Sequence, residues 1–198
     1  MQQVVVIGGG NTFDAYDNYL AALRGRVLTL DRLKGKGWKS TLEASLGEGY
    51  EVLSLRMPCM DNAKYLEWKI VFEKLLPLLS GKAVFIGHSL GGVFLAKYFS
   101  EERMFEKVKA LFLVAAPYES EDGYSLADFA PTDDLKGLVS ASIPIHLYQS
   151  EDDTIVSSSN LEQYIRALPS ALPHVFHDRG HFLQEEFPEL IEDIHQLT

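Results

Sequence analysis

Residues 87–92 read Gly-His-Ser-Leu-Gly-Gly, directly after the apolar run Ala83–Ile86 and directly before a stretch of helical character starting at Leu90. This is a G-x-S-x-G pattern. A strand that must turn at once into a helix holds the central residue in a strained backbone conformation and pushes its hydroxyl out at the end of the sheet. The flanking glycines are required because a Cβ there would strike a neighbouring strand or helix. The serine also sits at a helix N-terminus, where backbone N–H groups stabilise developing negative charge. Ser89 is therefore the expected nucleophile of acyl-transfer chemistry. The bare pattern is weak evidence, since roughly one chain in fifteen of this length contains it by chance. The strand–turn–helix context separates it from a glycine-rich turn capped by a serine.

A serine on such a turn needs a base, and the base needs an orienting acid, in the chain order Ser, Asp or Glu, His. After the apolar run Ile145–Tyr148 the chain continues Gln-Ser-Glu-Asp-Asp-Thr-Ile-Val through Val156. Asp153 has an apolar anchor, Val156, in D-x-x-V spacing and is the expected acid. Asp152 is the alternative, and a solvated acidic turn or a helix cap is the non-catalytic reading of the pair. After Val175-Phe176 comes His-Asp-Arg-Gly-His-Phe, 177–182. His181 follows a glycine and precedes the last helical stretch, on a loop able to lean over the sheet, so it is the expected base. His177 is expected to face solvent or to pack, and His88 to be structural. His146, His174 and His195 lie in a strand, at a strand edge and on the final helix, where no base is expected. The oxyanion hole is expected from the N–H of Leu90 together with Gly9 and Gly10 in the loop after the first strand, because glycine lets the backbone approach a substrate carbonyl. Phe13, Tyr118 and Phe182 are candidate substrate-binding residues, with Phe129 a further candidate wall. For at least two of these four, core packing is the expected role rather than a place in the wall.

The elements that must hold these residues follow from hydrophobic patterning. Val4–Ile7, Val52–Leu55, Ala83–Ile86, Ala110–Val114, Ile145–Tyr148 and Val175-Phe176 read as strands, and Val27–Leu30 as a further short one. Continuous apolar runs without alternation suit strands buried on both faces of a parallel sheet. Helices are expected over Phe13–Leu23, Ser40–Leu46, Asn62–Leu79, Leu90–Tyr98, Ser159–Leu168 and Leu183–Leu197. The first is capped at Asn11 or Thr12, the third carries Tyr65, Leu66, Ile70, Phe72, Leu75 and Leu76 on its apolar positions, and the last is interrupted near Pro188. Strands alternating with helices predict an α/β fold with a mostly parallel sheet of about six strands, and sites in such sheets lie at the carboxyl ends of the strands. One domain over residues 1–198 is expected, with 31–49 a surface insertion and 117–142 a short cap-like excursion.

Composition narrows the class. The chain has 198 residues, 46% of them hydrophobic, enough for one packed core. Its 18 basic against 28 acidic residues give a formal charge of −10. A phosphate-binding surface needs clustered Lys and Arg, so no nucleic-acid partner is expected. The same charge opposes an anionic membrane surface and favours positive or neutral substrates. No run approaches the roughly 20 apolar residues that span a bilayer. The N-terminus reads as a first strand and not as a leader, so a cytoplasmic location is expected. Cys59 is the only cysteine and cannot form an intrachain disulfide. A small buried hydrophobe is its expected role.

Taken together, Gly8-Gly9-Gly10-Asn11-Thr12-Phe13, Met57-Pro58 with Glu67-Trp68 in the next helix, the turn at 87–92, Ser150-Glu151-Asp152-Asp153, and Gly180-His181-Phe182 with Glu186-Phe187-Pro188-Glu189-Leu190 resemble the α/β-hydrolase superfamily. Within it they are most similar to the small serine hydrolases grouped with the retinoblastoma-binding-protein-9 family and related bacterial predicted esterases. The resemblance covers nearly the whole chain. It implies an α/β-hydrolase fold with a minimal cap, a catalytic Ser89, Asp153 and His181, and neither metal nor cofactor. Two positions depart from the pattern: Ile7 stands where many relatives have a histidine, and Ser157 where a proline follows D-x-x-V.

The reading that results is a carboxylesterase-like serine hydrolase acting on a small ester or amide through an acyl-enzyme, with no protein partner indicated. A hydrolase-fold binding module that has lost activity is the alternative, and the intact Ser, Asp and His set opposes it. A dinucleotide-binding reading of Gly8-x-Gly10 with Asp31 fails on the third glycine, whose place is taken by Phe13. No His, Cys and carboxylate set has metal-ligand spacing along the chain.

Overall fold

In the computed structural model, residues 1–30, 37–121, 124–132 and 134–197 are described. Asp31, the start of the 31–49 segment, and Gly123 within 117–142 lie outside them. Six strands, β1 (Gln2–Ile7), β2 (Tyr50–Leu55), β3 (Ala83–His88), β4 (Val108–Val114), β5 (Ile145–Ser150) and β6 (Leu172–Phe176), form one sheet in the order β2-β1-β3-β4-β5-β6. Every pairing is parallel. The helices are α1 (Tyr16–Gly25), α2 (Leu42–Leu46), α3 (Tyr65–Leu75), α4 (Leu90–Glu102), α5 (Lys136–Val139), α6 (Ser159–Ala167) and α7 (Pro188–His195). No described helix is long and apolar enough to cross a membrane.

The side-chain period of 2 along each strand divides the core into two layers. Val5, Ile7, Phe85, Leu111, Leu113 and Leu147 pack with Phe72 of α3, Phe94 and Phe99 of α4, and Leu161 of α6. Their neighbours Val4, Val6, Ile86, Phe112 and Tyr148 pack on the other face with Leu42 and Leu46 of α2 and Leu190 and Ile194 of α7. Helix α4 lies deepest: Leu90 to Ser100 are all buried. Its Lys97 ammonium is satisfied by the carbonyls of Asp128 (2.8 Å) and Ala130 (2.9 Å).

Several sequence expectations change. Residues 26–29 form no strand, and Val27, Leu28 and Leu30 are exposed; both edges of β1 are already taken, by β2 and β3. Helix α1 starts at Tyr16 with Ala15 as its N-cap, while the Thr12 hydroxyl bonds the Ser125 carbonyl. On α3 the buried face is Trp68 and Phe72, whereas Leu66 and Ile70 are exposed. The helix ends at Leu75, and Pro77 lies in the 3₁₀ turn that follows.

The described part of 31–49 is not confined to the surface. Trp38 is buried and its indole N–H donates to the Phe182 carbonyl at 2.9 Å, and Leu42 and Leu46 join the core. Leu126, Phe129, Leu135 and Leu138 of the 117–142 excursion are also core residues. That excursion therefore spends most of its apolar surface on the helix layer around α4. Cys59, expected to be buried, is exposed, in a left-handed conformation with φ 45°.

Candidate active site

Ser89 links β3 to α4 with φ 55° and ψ −124°. For a residue with a Cβ this conformation costs about 1–3 kcal/mol and persists only where its surroundings enforce it. Here they do. The Ser89 N–H donates to the Val114 carbonyl at 2.8 Å, tying the turn to β4. A Cβ on Gly87 would enter the Gly91 carbonyl, one on Gly91 the Ile7 carbonyl, and one on Gly92 would come within 2.6 Å of the Ala116 Cβ. Strand and helix thus approach more closely than any side chain permits.

Asp153 and His181 come from the loops after β5 and β6. The His181 Nδ1 lies 2.8 Å from the Asp153 Oδ2. The Asp153 side chain is fully buried, and its Oδ1 accepts the N–H groups of Ile155 (2.8 Å) and Val156 (3.1 Å). Burial pushes the Asp153 carboxyl upward, but the His181 hydrogen bond and charge and the two amides outweigh it, so its pKa lies below the ordinary value. An ionised Asp153 fixes the proton of His181 on Nδ1 and leaves Nε2 as acceptor.

Asp152 has a different task. Its Oδ1 accepts the Gly180 N–H at 2.8 Å and the Ser150 hydroxyl at 2.5 Å, while the Ser150 Oγ accepts the Arg179 N–H at 3.0 Å. It pins the loop that carries His181. His177 points outward and meets Glu151 at 2.7 Å.

His88 is buried with one nitrogen on each of two partners: Nε2 lies 2.8 Å from the His181 carbonyl and Nδ1 2.9 Å from the Lys39 Nζ. Burial first, then Lys39 and His181, drive its pKa well down. The neutral ring donates from Nε2 and accepts at Nδ1, so it holds the backbone of His181 in place. Burial also lowers the Lys39 ammonium, to about 8.

Ser89, His181, His88 and Lys39 all line one cleft of about 1340 Å³ at the carboxyl ends of the strands. Its walls come from the loop after β1 (Gly8 to Asp14), from α1, and from Met60, Tyr124, Ile155 and Val156. Gly9 approaches the nucleophile so closely that a Cβ there would lie 3.1 Å from the Ser89 Cβ. Gly10 is small for another reason, since a Cβ would lie 2.7 Å from the Met60 carbonyl. Leu90 is the first residue of α4, so its N–H has no acceptor within the helix.

Of the expected walls, Phe13 lines the cleft. Phe182 is fully buried against Phe176 and Phe187, Phe129 packs on Trp68, and Tyr118 stacks edge-on with Tyr164. Phe182 and Phe129 are core residues and Tyr118 is a partly buried one packed against the core, because large rings beside two hydrophobic layers gain more from burial there than from standing in a solvated opening.

One cluster was invisible to chain spacing. His146 on β5, His174 on β6 and Asp193 on α7 come together, and among the described residues they are the one group that could hold a metal ion. Here His146 Nδ1 is hydrogen-bonded to His174 Nε2 at 3.0 Å, His174 Nδ1 stands 3.4 Å from Asp193 Oδ2, and the Tyr148 hydroxyl donates to Asp193 at 2.6 Å. None of the three lines the cleft.

This sheet, with a strained serine after its third strand, is the α/β-hydrolase fold. The ydeN gene product of Bacillus subtilis is similar in structure, with a TM-score of 0.75 at 20% identity over 100% of this chain and 98% of that one. The meta-cleavage product hydrolase CumD of Pseudomonas fluorescens follows at 0.67 and 17%, covering 100% and 90%. The esterase domain of a Rhodothermus marinus protein gives 0.60 and 17%, covering 92% and 78%. No curated protein matched in sequence. The serine hydrolase family model matches residues 31–195, and the chain belongs to that family.

Proposed function

We propose that this protein hydrolyses a small ester, and by the same chemistry an amide, through an acyl-enzyme on Ser89, with His181 as general base and Asp153 orienting it within a single domain. The observation that carries this is the 2.8 Å bond from a fully buried Asp153 to Nδ1 of His181, which lines the same cleft as the strained Ser89. In the reaction, Ser89 Oγ attacks the substrate carbonyl carbon while His181 Nε2 takes its proton. The carbonyl oxygen becomes an oxyanion, held by the Leu90 N–H and the loop backbone at Gly9 and Gly10. The tetrahedral carbon then expels the alkoxide, which receives the proton from His181 and leaves as the alcohol. Water, deprotonated by His181, attacks the acyl-serine and releases the acid, and Ser89 regains its proton.

Substrate size follows from the walls. The 117–142 segment gives Leu126, Phe129, Leu135 and Leu138 to the core and Pro117, Ser120, Glu121, Tyr124 and Ser125 to the cleft. With those four apolar side chains in the core, that segment does not form a lid over a long alkyl chain. Each methylene that finds apolar wall gains about 0.8 kcal/mol, so kcat/KM across p-nitrophenyl esters reports pocket depth. Acetate or butyrate should be cleaved better than palmitate. A steady rise to the sixteen-carbon ester would reveal a long acyl tunnel and overturn this reading.

The mechanism assigns no step to a metal. Incubation with EDTA should leave p-nitrophenyl butyrate turnover unchanged. Loss of turnover on chelation, restored by zinc, would contradict the assignment.

A further inference from the structure

Of the two Lys and Arg side chains that line the cleft among the described residues, Arg26 has an anionic partner and Lys39 has none. Arg26 meets Asp61 at 2.5 Å, Asp14 accepts the Ser125 hydroxyl at 3.1 Å, and Glu121 accepts the Asn160 amide. Lys39 has no anionic partner among the described residues. Its Nζ donates one hydrogen bond to His88 Nδ1 and stands 5.4 Å over the Trp38 ring. An ammonium carries three donors, so two remain for the cleft it lines.

The location is specific. Lys39 bonds the ring of the residue next to Ser89, and that ring lies 4.9 Å from the ring of His181. The ammonium is thus separated from the His181 ring by one imidazole, that of His88. A cation partly removed from water is costly unless an anion answers it, and nothing among the described residues does.

We propose that Lys39 is a specificity residue that binds a carboxylate on the substrate, so that the ester this cleft takes carries a carboxylate on its acyl or its alcohol part. This rests on the hydrolase reading above. It also reverses what the net charge suggests: a charge of −10 favours neutral or positive ligands from a distance, but the cleft that holds Ser89 contains a cation with no anionic partner among the described residues.

The test compares isosteric pairs. On the acyl side, mono-4-nitrophenyl adipate is set against its terminal amide; on the alcohol side, 3-carboxyphenyl butyrate against 3-carbamoylphenyl butyrate. In at least one pair the carboxylate should win in kcat/KM by about tenfold or more, as expected for a hydrogen bond between charged groups. The pair that responds identifies which half of the substrate reaches Lys39. Lys39→Met keeps an unbranched side chain without the charge and should bring that ratio to about one, whatever it does to the separate rates through His88. The ratio should also fall as pH rises through about 8, where Lys39 loses its charge. The titratable groups facing it are His88 and, behind that ring, His181. Both act on the charged and the neutral ester alike, so they cancel in the ratio.

A second arm does not need turnover. Adipate monoamide or, for the alcohol side, 3-hydroxybenzoate should bind Ser89→Ala by calorimetry, and about tenfold more weakly when Lys39→Met is added. If no pair favours the carboxylate, if the ratio survives Lys39→Met, or if neither adipate monoamide nor 3-hydroxybenzoate binds the double variant more weakly than the single one, the Lys39 proposal fails. Failure of fluorophosphonate to label the wild-type protein would instead count against the hydrolase reading, and the binding arm would still decide on Lys39.

Discussion

Ser89→Ala should lower kcat for p-nitrophenyl butyrate by about 10⁴- to 10⁶-fold, leaving only what binding and the oxyanion donors contribute. The change removes one oxygen at a position whose φ of 55° is strained for alanine as much as for serine. The fold and its thermal midpoint should therefore stay close to wild type, and the loss should appear in kcat rather than in the amount of folded protein. A variant that still hydrolysed the ester at the wild-type rate would place the nucleophile elsewhere.

The second large effect separates the two aspartates. Asp153→Asn should cost about 10⁴ in kcat. An asparagine can keep an oxygen on the Ile155 and Val156 amides, but it then turns its NH₂ toward His181 Nδ1. Nδ1 must become an acceptor, the proton moves to Nε2, and the nitrogen that should take the serine proton is blocked. Asp152→Asn should cost far less. Its oxygen can still accept from Ser150 and Gly180, the two groups that Asp152 Oδ1 holds. Steady-state kinetics of the two variants at pH 7.5 checks this, and a larger loss in Asp152→Asn would reverse the assignment.

Much of this was legible in the sequence because local rules and global packing agree there. Buried parallel strands read as apolar runs, and the Gly-x-Ser-x-Gly turn carries its own steric logic, with Gly91 lying on the Ile7 carbonyl. Patterning failed where a neighbour made the decision. Val27–Leu30 has strand composition but no free sheet edge beside β1. On α3 the pattern admits several apolar stripes, and only the aromatic layer of Phe85, Phe94 and Phe129 selects the one containing Trp68 and Phe72. An aromatic near a catalytic motif gives no sign of which way its ring turns, so Tyr118 and Phe182 read as walls, whereas Phe182 is core and Tyr118 packs partly buried against the core.

Two features had no signal along the chain. Lys39 sits in a polar, glycine-punctuated stretch and acquires its role only because Trp38 is drawn into the core and carries it to His88. His146, His174 and Asp193 come from three elements, so no spacing rule could join them. The carboxylate pair was ambiguous for a related reason. Adjacent residues project differently, and only the loop geometry turns Asp153 inward to His181 and Asp152 toward the 179–180 backbone.

The central claim is that Ser89 is an activated nucleophile. Its most direct test is reaction with a fluorophosphonate, followed by digestion and mass spectrometry of the peptide that spans the β3–α4 turn. Only a serine whose proton is taken by a positioned base reacts quickly with such a probe. One covalent phosphonyl adduct per chain on Ser89, absent from Ser89→Ala and greatly slowed in Asp153→Asn, is the predicted result. No adduct, or an adduct on another residue with Ser89 unmodified, would contradict it.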